Sequence, residues 1–334
     1  MCCAVLLFSR QVKAKVAIFK LAITSEVGVF EWVVFLTTCF FINLIGLHLG
    51  FFEKINTIFT DIKIQHTVFA LPFAVMSAFL AAEGVPELGT LAWILMAMFG
   101  ARNGAMSFNR IADSKFDRLN PRTKGRALPA GNVTAKQYWF FLIVSSVVFL
   151  FSAFMLNSLA FFLSPIALGI IFGYSFAKRF TSLSHLWLGV AISIAPVGAW
   201  VAVREEISIE SLILGAAVVF WLFGFDIIYS CMDVDSDRSN NLHSIPQKLG
   251  IETALKFAFV SHCAMIFFLL LLLFIPGLGG FYLLGVIIAS GLLFYEHSIV
   301  RADDLSNVNV AFFNVNGIIS ILLMVFVILD CTWY

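Results

Sequence analysis

The sequence predicts an all-α, polytopic membrane protein. Three observations point there. The 334 residues are 61% hydrophobic and only 12% charged, about half the charged share of an ordinary soluble domain. The mean hydropathy is +0.98, more apolar surface than a soluble fold of this size can bury. Apolar runs of bilayer-spanning length recur along the chain.

Nine such runs are predicted, at about 62–82, 91–108, 136–156, 159–177, 186–203, 211–230, 253–275, 279–298 and 309–330. Basic residues concentrate in alternate connections, which orients them to the cytoplasm. The segment 109–126 holds Arg110, Lys115, Arg118, Arg122, Lys124 and Arg126. Lys178 and Arg179, then Arg238 and Lys248, then Arg301 fall on the same side. The opposite connections carry Glu83 and Glu87, Arg204 among Glu205, Glu206 and Glu210, and an uncharged Pro276-Gly277 turn.

Residues 1–55 are read as an N-terminal extension and 56–334 as the main domain. The apolar segment 27–50 is an interfacial, re-entrant or additional spanning element. A spanning helix there would carry Arg10, Lys13, Lys15 and Lys20 to the wrong side. No small-residue cleavage site of signal-peptide type follows it. The six cysteines form no CxxC and sit mostly in apolar runs, which argues for small hydrophobes rather than a disulfide or zinc site. There is no glycine-rich phosphate loop of the nucleotide-binding type and no long basic tail suited to nucleic acid.

Two acidic stretches stand out against this background. In NRIADSKFD, Asn109, Asp113 and Asp117 repeat at four-residue steps, so a helix presents them as one stripe of oxygen atoms. Arg102 lies two turns earlier on a similar side. In DIIYSCMDVDSD, Asp226, Tyr229, Asp233 and Asp237 share a helical face, while Asp235 points elsewhere unless the helix has ended before it. Burying Asp226 at the bilayer centre would cost about 2.5–3.5 kcal/mol, which marks it as functional or paired. Oxygen donors without Cys or His suit a hard cation such as Mg²⁺, which leaves part of its shell to water and phosphate. Arg122, Lys124 and Arg126 follow the first stripe within a loop broken by Pro121, Gly125, Pro129 and Gly131. Lys178 and Arg179 close another apolar helix. These bases are phosphate ligands, positive-inside anchors or both. His185 reads as structural or as a substrate contact. Pro196 and Gly198 sit inside a membrane helix, where a kink would widen a pocket. Asp330, near the C-terminus on the far side, is expected to tolerate substitution.

These motifs resemble the UbiA superfamily of intramembrane aromatic prenyltransferases. The family's first motif, Asn and two Asp at four-residue steps, matches Asn109, Asp113 and Asp117. Its Asn-x-Arg-Thr-x-x-Arg signature matches Asn120, Arg122, Thr123 and Arg126. Tyr-x-x-x-Lys-Arg-x-Thr matches Tyr174, Lys178, Arg179 and Thr181. The second acidic motif matches Asp226, Tyr229, Asp233 and Asp237, with Asp235 as a further acid.

The resemblance covers about 60–330. It implies a nine-transmembrane-helix prenyltransferase bundle around a cavity, with Asp113, Asp117, Asp226, Tyr229 and Asp233 catalytic. Asn109, Asp113, Asp117, Asp233 and Asp237 would hold Mg²⁺. Arg102, Arg122, Arg126, Lys178 and Arg179 would bind the diphosphate. The implied reaction moves a polyprenyl group from its diphosphate to a hydroxylated aromatic acid in quinone biosynthesis, 4-hydroxybenzoate or a naphthoate. The implied setting is a bacterial inner membrane, with both acidic motifs facing the cytoplasm and membrane lipid around the bundle.

Ser184-His185 and His243 stand where the hydroxybenzoate branch often has Pro-Gln and Lys, which keeps the acceptor open. The futalosine-route menaquinone subgroup and acceptors such as haem or homogentisate belong to the same superfamily.

Two rival classes share some features. A CDP-alcohol phosphotransferase also clusters Asp in a membrane, but the Asp-Gly that opens its signature is missing before Ala101-Arg102. A membrane cation transporter needs charges along a path from side to side, and here they gather on one side.

Overall fold

The computed structural model describes residues 49–62, 69–275 and 277–333. The chain divides into two units, Met1–Ile55 and Asn56–Tyr334. Of the first, only the start of helix α1 (Leu49–Asp61) is described. The apolar segment 27–50 therefore lies almost wholly outside the described residues.

The second unit is helical throughout its described residues apart from connections. It contains α2 (Leu71–Ala82), α3 (Leu88–Leu119), α4 (Ala135–Leu156), α5 (Ser158–Ala177), α6 (Ser184–Arg204) and α7 (Ile209–Ser230). A 3₁₀ turn (Cys231–Asp233) leads into α8 (Val234–Ser239). Then come α9 (Ile245–Leu249), α10 (Ile251–Leu271), α11 (Gly280–Ile299), a π-helical segment (Val310–Val315) and α12 (Asn316–Trp333). Among the described residues, seven helices are long and apolar enough to cross a bilayer, the span containing α7 running on to Ser239. Two of the nine expected runs look different. The run at 91–108 is the apolar part of the 32-residue α3, whose charged last third continues the helix beyond it. The run at 62–82 is described as the 12-residue α2, with 63–68 outside the described residues.

Local chemistry sets the boundaries. Thr134 and Gln137 form a reciprocal capping box at the start of α4. Asn157 and Ser208 cap α5 and α7 by accepting from Ala160 N and Ser211 N. Glu83 and Glu205 end α2 and α6 in left-handed geometry (φ 51° and 56°).

Neighbours in sequence pack side by side from α3 to α7, α7 packs on α10, and α2 packs on both α6 and α12. The large apolar core lies among α2, α7, α10, α11 and α12, around Phe73, Trp221, Met265, Tyr282 and Ile319. Close approach there depends on glycine. A Cβ on Gly224 would fall 2.4 Å from the His262 ring. His262 in turn meets His297 (Nδ1 to Nε2, 2.9 Å). Trp221 Nε1 donates to Asn316 Oδ1 (2.6 Å), and Asn316 Nδ2 donates to Glu296 Oε1 (3.1 Å).

Asp330 is not the tolerant surface position expected. Its carboxylate is 1% exposed and accepts from the N–H groups of Gly279, Phe281 and Tyr282 at 2.7–3.3 Å. It thereby satisfies the open amides at the start of α11.

Candidate active site

A cavity of about 1070 Å³ runs along the faces of α3, α5, α6 and α7. One end is lined by Asp113, Asp117, Asp226, Asp233 and Asp237. The rest is mostly apolar, from Ile94, Met98 and Ile170 to Leu156, Val201 and Ile207.

Helix α3 supplies the first wall. Because it continues unbroken to Leu119, Arg102, Asn109, Asp113 and Asp117 all reach the cavity. Asn109 Nδ2 donates to Asp113 Oδ2 (2.8 Å). The chain then turns at Asn120. Its side-chain oxygen accepts from Arg122 N (2.9 Å) and its amide donates to Asp233 (3.3 Å), which brings Arg122 and Arg126 onto the cavity lining.

The second wall is built differently. Helix α7 ends at Ser230 and tightens into the 3₁₀ turn before α8. The tighter winding still leaves Asp226, Tyr229, Asp233 and Asp237 on the cavity. Asp235 is exposed and does not line it.

The acids and bases pair one to one. Arg126 Nη1 donates to both oxygens of Asp117 (2.7 and 2.8 Å). Arg122 holds Asp233 with two bonds (Nε 3.0 Å, Nη2 2.6 Å) and donates to the Tyr229 hydroxyl (2.9 Å). The Lys178 ammonium stands 3.5 Å from Asp237 Oδ2, an oxygen that is buried without a hydrogen-bond partner. Arg179 lies 3.8 Å from Asp113 but donates to Ala112 O (2.7 Å) and stacks over Phe176 and Phe116. Asp113 sits beyond the apolar part of α3. Burial and the neighbouring Asp117 push its carboxyl up to about 6, against the pull of Arg179, Lys178 and Arg126.

Two members stand outside this pairing. Among the described residues Asp226 has no Arg or Lys in salt-bridge reach, and it meets His185 Nδ1 at 2.7 Å. His185 is fully buried, and Ile245 N–H points at its other nitrogen (3.5 Å). That contact leaves Nδ1 to carry the proton toward Asp226. Arg102 lines the cavity about 10 Å along α3 from Asn109. Its Nε is buried with no partner, and no acid reaches it among the described residues.

Asp61, at the end of α1, has no counterpart in the motif reading. It accepts from Arg110 Nε (2.9 Å), the Tyr138 hydroxyl (2.7 Å) and Ala127 N (2.9 Å). Burial alone would raise its carboxyl pKa. The Tyr138 bond and the Arg110 charge outweigh that and hold it below the usual range. Arg110 in turn donates to Asn109 Oδ1 (3.3 Å), so Asp61 ties the 120–133 loop, α4 and the start of the acidic stripe together.

Among the described residues no three His, Cys, Asp or Glu side chains already converge as a metal cluster. The donor set nevertheless fits Mg²⁺. It is all oxygen, one buried carboxylate oxygen has no hydrogen-bond partner, and two acidic faces meet one cavity.

A helical membrane bundle whose apolar cavity ends in paired acids and bases defines an intramembrane site for an amphiphile with a charged head. The chain belongs to the UbiA prenyltransferase family, whose model matches residues 70–318. It is 32% identical over 247 residues to a 4-hydroxybenzoate octaprenyltransferase of Vibrio parahaemolyticus, covering 71% of this chain and 83% of that protein. A UbiA homologue from Aeropyrum pernix superposes with a TM-score of 0.73 at 34% identity, covering 80% of this chain and 98% of that one. A homologue from Archaeoglobus fulgidus, solved with DMAPP and Mg²⁺, shares the fold (TM-score 0.64, 19% identity, 82% and 99% covered).

Proposed function

We propose that the chain transfers a polyprenyl group from an allylic polyprenyl diphosphate to a hydroxylated aromatic acid, 4-hydroxybenzoate or a naphthoate, for quinone biosynthesis. The observation that carries this reading is the single cavity that joins the acid–base pairs to a long apolar arm. A diphosphate with an isoprenoid tail needs both environments at once. The names of the Vibrio and related proteins support the acceptor class.

Asn109, Asp113, Asp117, Asp233 and Asp237 are the residues that would hold Mg²⁺. When bound, that ion stabilises the charge gathering on the leaving diphosphate. Arg122, Arg126 and Lys178 end in the same cavity as their carboxylate partners. Their long side chains can swing to phosphate oxygens without backbone movement. Arg179 is held by Ala112 O and two aromatic rings, and its charge acts from that fixed place.

As the allylic C–O bond breaks, positive charge develops on the terminal carbon of the tail. The apolar walls keep bulk water from it. Arg102, whose Nε has no partner among the described residues, is the guanidinium that receives the carboxylate of the aromatic acid. The electron-rich ring then attacks the allylic carbon and must lose a ring proton. Asp226, oriented by His185 and with no Arg or Lys in salt-bridge reach among the described residues, is the carboxylate placed to take it. The acidic end faces the cytoplasm of an inner membrane on the charge pattern of the connections.

Purified protein in lipid, given one polyprenyl diphosphate and a panel of aromatic acids, should form a prenylated acid detectable by mass spectrometry. EDTA should abolish the product and Mg²⁺ restore it. Product formation unchanged by EDTA would refute the metal assignment, and absence of product across the panel would refute the acceptor class.

A further inference from the structure

We propose that Gly198 sets the length of isoprenoid tail that the apolar arm accepts, an assignment that rests on the prenyl-transfer reading above. Helix α6 runs along the cavity from its polar end, where His185 meets Asp226, to Val201 at the far end. Gly198 lies 13 residues past His185, about 20 Å along the helix at 1.5 Å per residue. A tail anchored by its diphosphate at the acidic end must pass this level to go deeper.

Most tight glycines in this bundle face backbone or rings. A Cβ on Gly189 would meet Val219 O at 2.6 Å, and one on Gly100 would meet Phe149 N at 2.7 Å. Those positions serve helix contact. Gly198 is different. It lines the cavity, is exposed, and a Cβ built on it meets nothing within 4 Å. A side chain at 198 therefore projects into open space and not against a neighbouring helix.

The wall cannot easily yield to such a side chain. One turn further on, Asn157 Nδ2 donates to Val201 O (2.7 Å) and Ala202 O (3.2 Å), tying the α4–α5 turn to the end of α6. Ser158 Oγ adds a bond to Glu205 (2.6 Å). On the other side of α6, Ser77 Oγ donates to Pro196 O (2.6 Å). With α6 held from both sides, added bulk takes its room from the cavity.

The test compares Gly198→Phe with Gly169→Phe in the full chain in lipid. Gly169, on α5, is likewise exposed and free of neighbours within 4 Å but does not line the cavity, so it reports the effect of bulk alone. Donors from geranyl to octaprenyl diphosphate are each assayed with 4-hydroxybenzoate and with a hydroxynaphthoate. In Gly198→Phe the ratio of kcat/KM for the octaprenyl donor to that for the geranyl donor should fall about tenfold or more, as overpacking of a confined space implies. In Gly169→Phe the ratio should hold. If the Phe variant does not accumulate in the membrane, Gly198→Leu reads the same ratio with less bulk. A ratio that stays put in an active Gly198 variant, or that falls equally in Gly169→Phe, overturns the length assignment alone. A wild-type protein inert with every donor overturns the prenyl-transfer reading and the length assignment with it.

Discussion

Buried carboxylates occur in two regions of this molecule, and their partners differ in kind. At the cavity, Asp117, Asp233 and Asp237 are neutralised by the ends of long Arg and Lys side chains. In the packed half, Asp330 is held by three backbone amides and Glu296 by the Asn316 side chain. A side-chain counter-ion can leave and be replaced by another cation. A backbone amide cannot. The first arrangement suits exchange with an incoming charged substrate, and the second suits permanence.

The largest expected effect tests the exchangeable set. Asp113→Asn and Asp233→Asn nearly preserve volume and remove one charge. Each should slow prenyl transfer about 100-fold or more, in line with the loss of one stabilising charge contact at a reacting centre. Insertion and thermal stability should stay near wild type, since Arg122 and Arg179 remain beside the cavity and part-exposed. Near-normal turnover in both variants would contradict the two-stripe site. Asp303→Asn is a suitable neutral control, because that carboxylate is 77% exposed and outside the cavity.

Arg102→Gln comes next. If Arg102 receives the acceptor carboxylate, KM for the aromatic acid should rise roughly tenfold or more, as for a charge-assisted bond worth about 1.5–3 kcal/mol. KM for the diphosphate donor should move little. A rise confined to the donor would place Arg102 at the diphosphate instead.

Asp330→Asn inverts the pattern of Asp113→Asn. An amide there keeps one acceptor oxygen but sets N–H donors against the start of α11. The expected loss is about 1–3 kcal/mol of stability, read as a lower thermal midpoint in detergent or lipid. Turnover per folded molecule should be unchanged. A stable but inactive variant would tie Asp330 to the chemistry.

Much of the site was legible in the sequence because helical spacing states it directly. Steps of four from Asn109 to Asp117 place oxygens on one face whatever the tertiary context, and α3 does continue through them. The offset of Asp235 from the Asp226–Asp233–Asp237 face likewise excludes it from the cavity. Pairing was not legible. Nothing in the order of residues tells Arg126 to fold back on Asp117 while Arg122 crosses to Asp233, because that depends on the turn Asn120 makes. Asp61 was invisible for a related reason. It is a lone acid with no periodic companion, and its three partners come from α3, the 120–133 loop and α4. Asp330 misled because an acid near a chain end reads as solvated until its amide partners, about 50 residues earlier, are known.

The smallest effect separates a buried acid that is needed for its charge from one that is needed for its shape. Glu296 is fully buried, and its Oε2 has no hydrogen-bond partner. Its Oε1 accepts from Asn316 Nδ2 at 3.1 Å, and Asn316 passes the chain on to Trp221. No Arg or Lys reaches Glu296 among the described residues. Glutamine has the same outline and keeps one acceptor oxygen for Asn316. Its amide nitrogen takes the place of an oxygen that already lacks a partner. Glu296→Gln should therefore lose less stability than Glu296→Ala and transfer prenyl groups at the wild-type rate. Glu296→Ala should be worse by about 1–3 kcal/mol, because it strands the Asn316 donor inside the bundle. A Gln variant as damaged as the Ala variant would mean that the charge itself is used, and Glu296 would then join the exchangeable set.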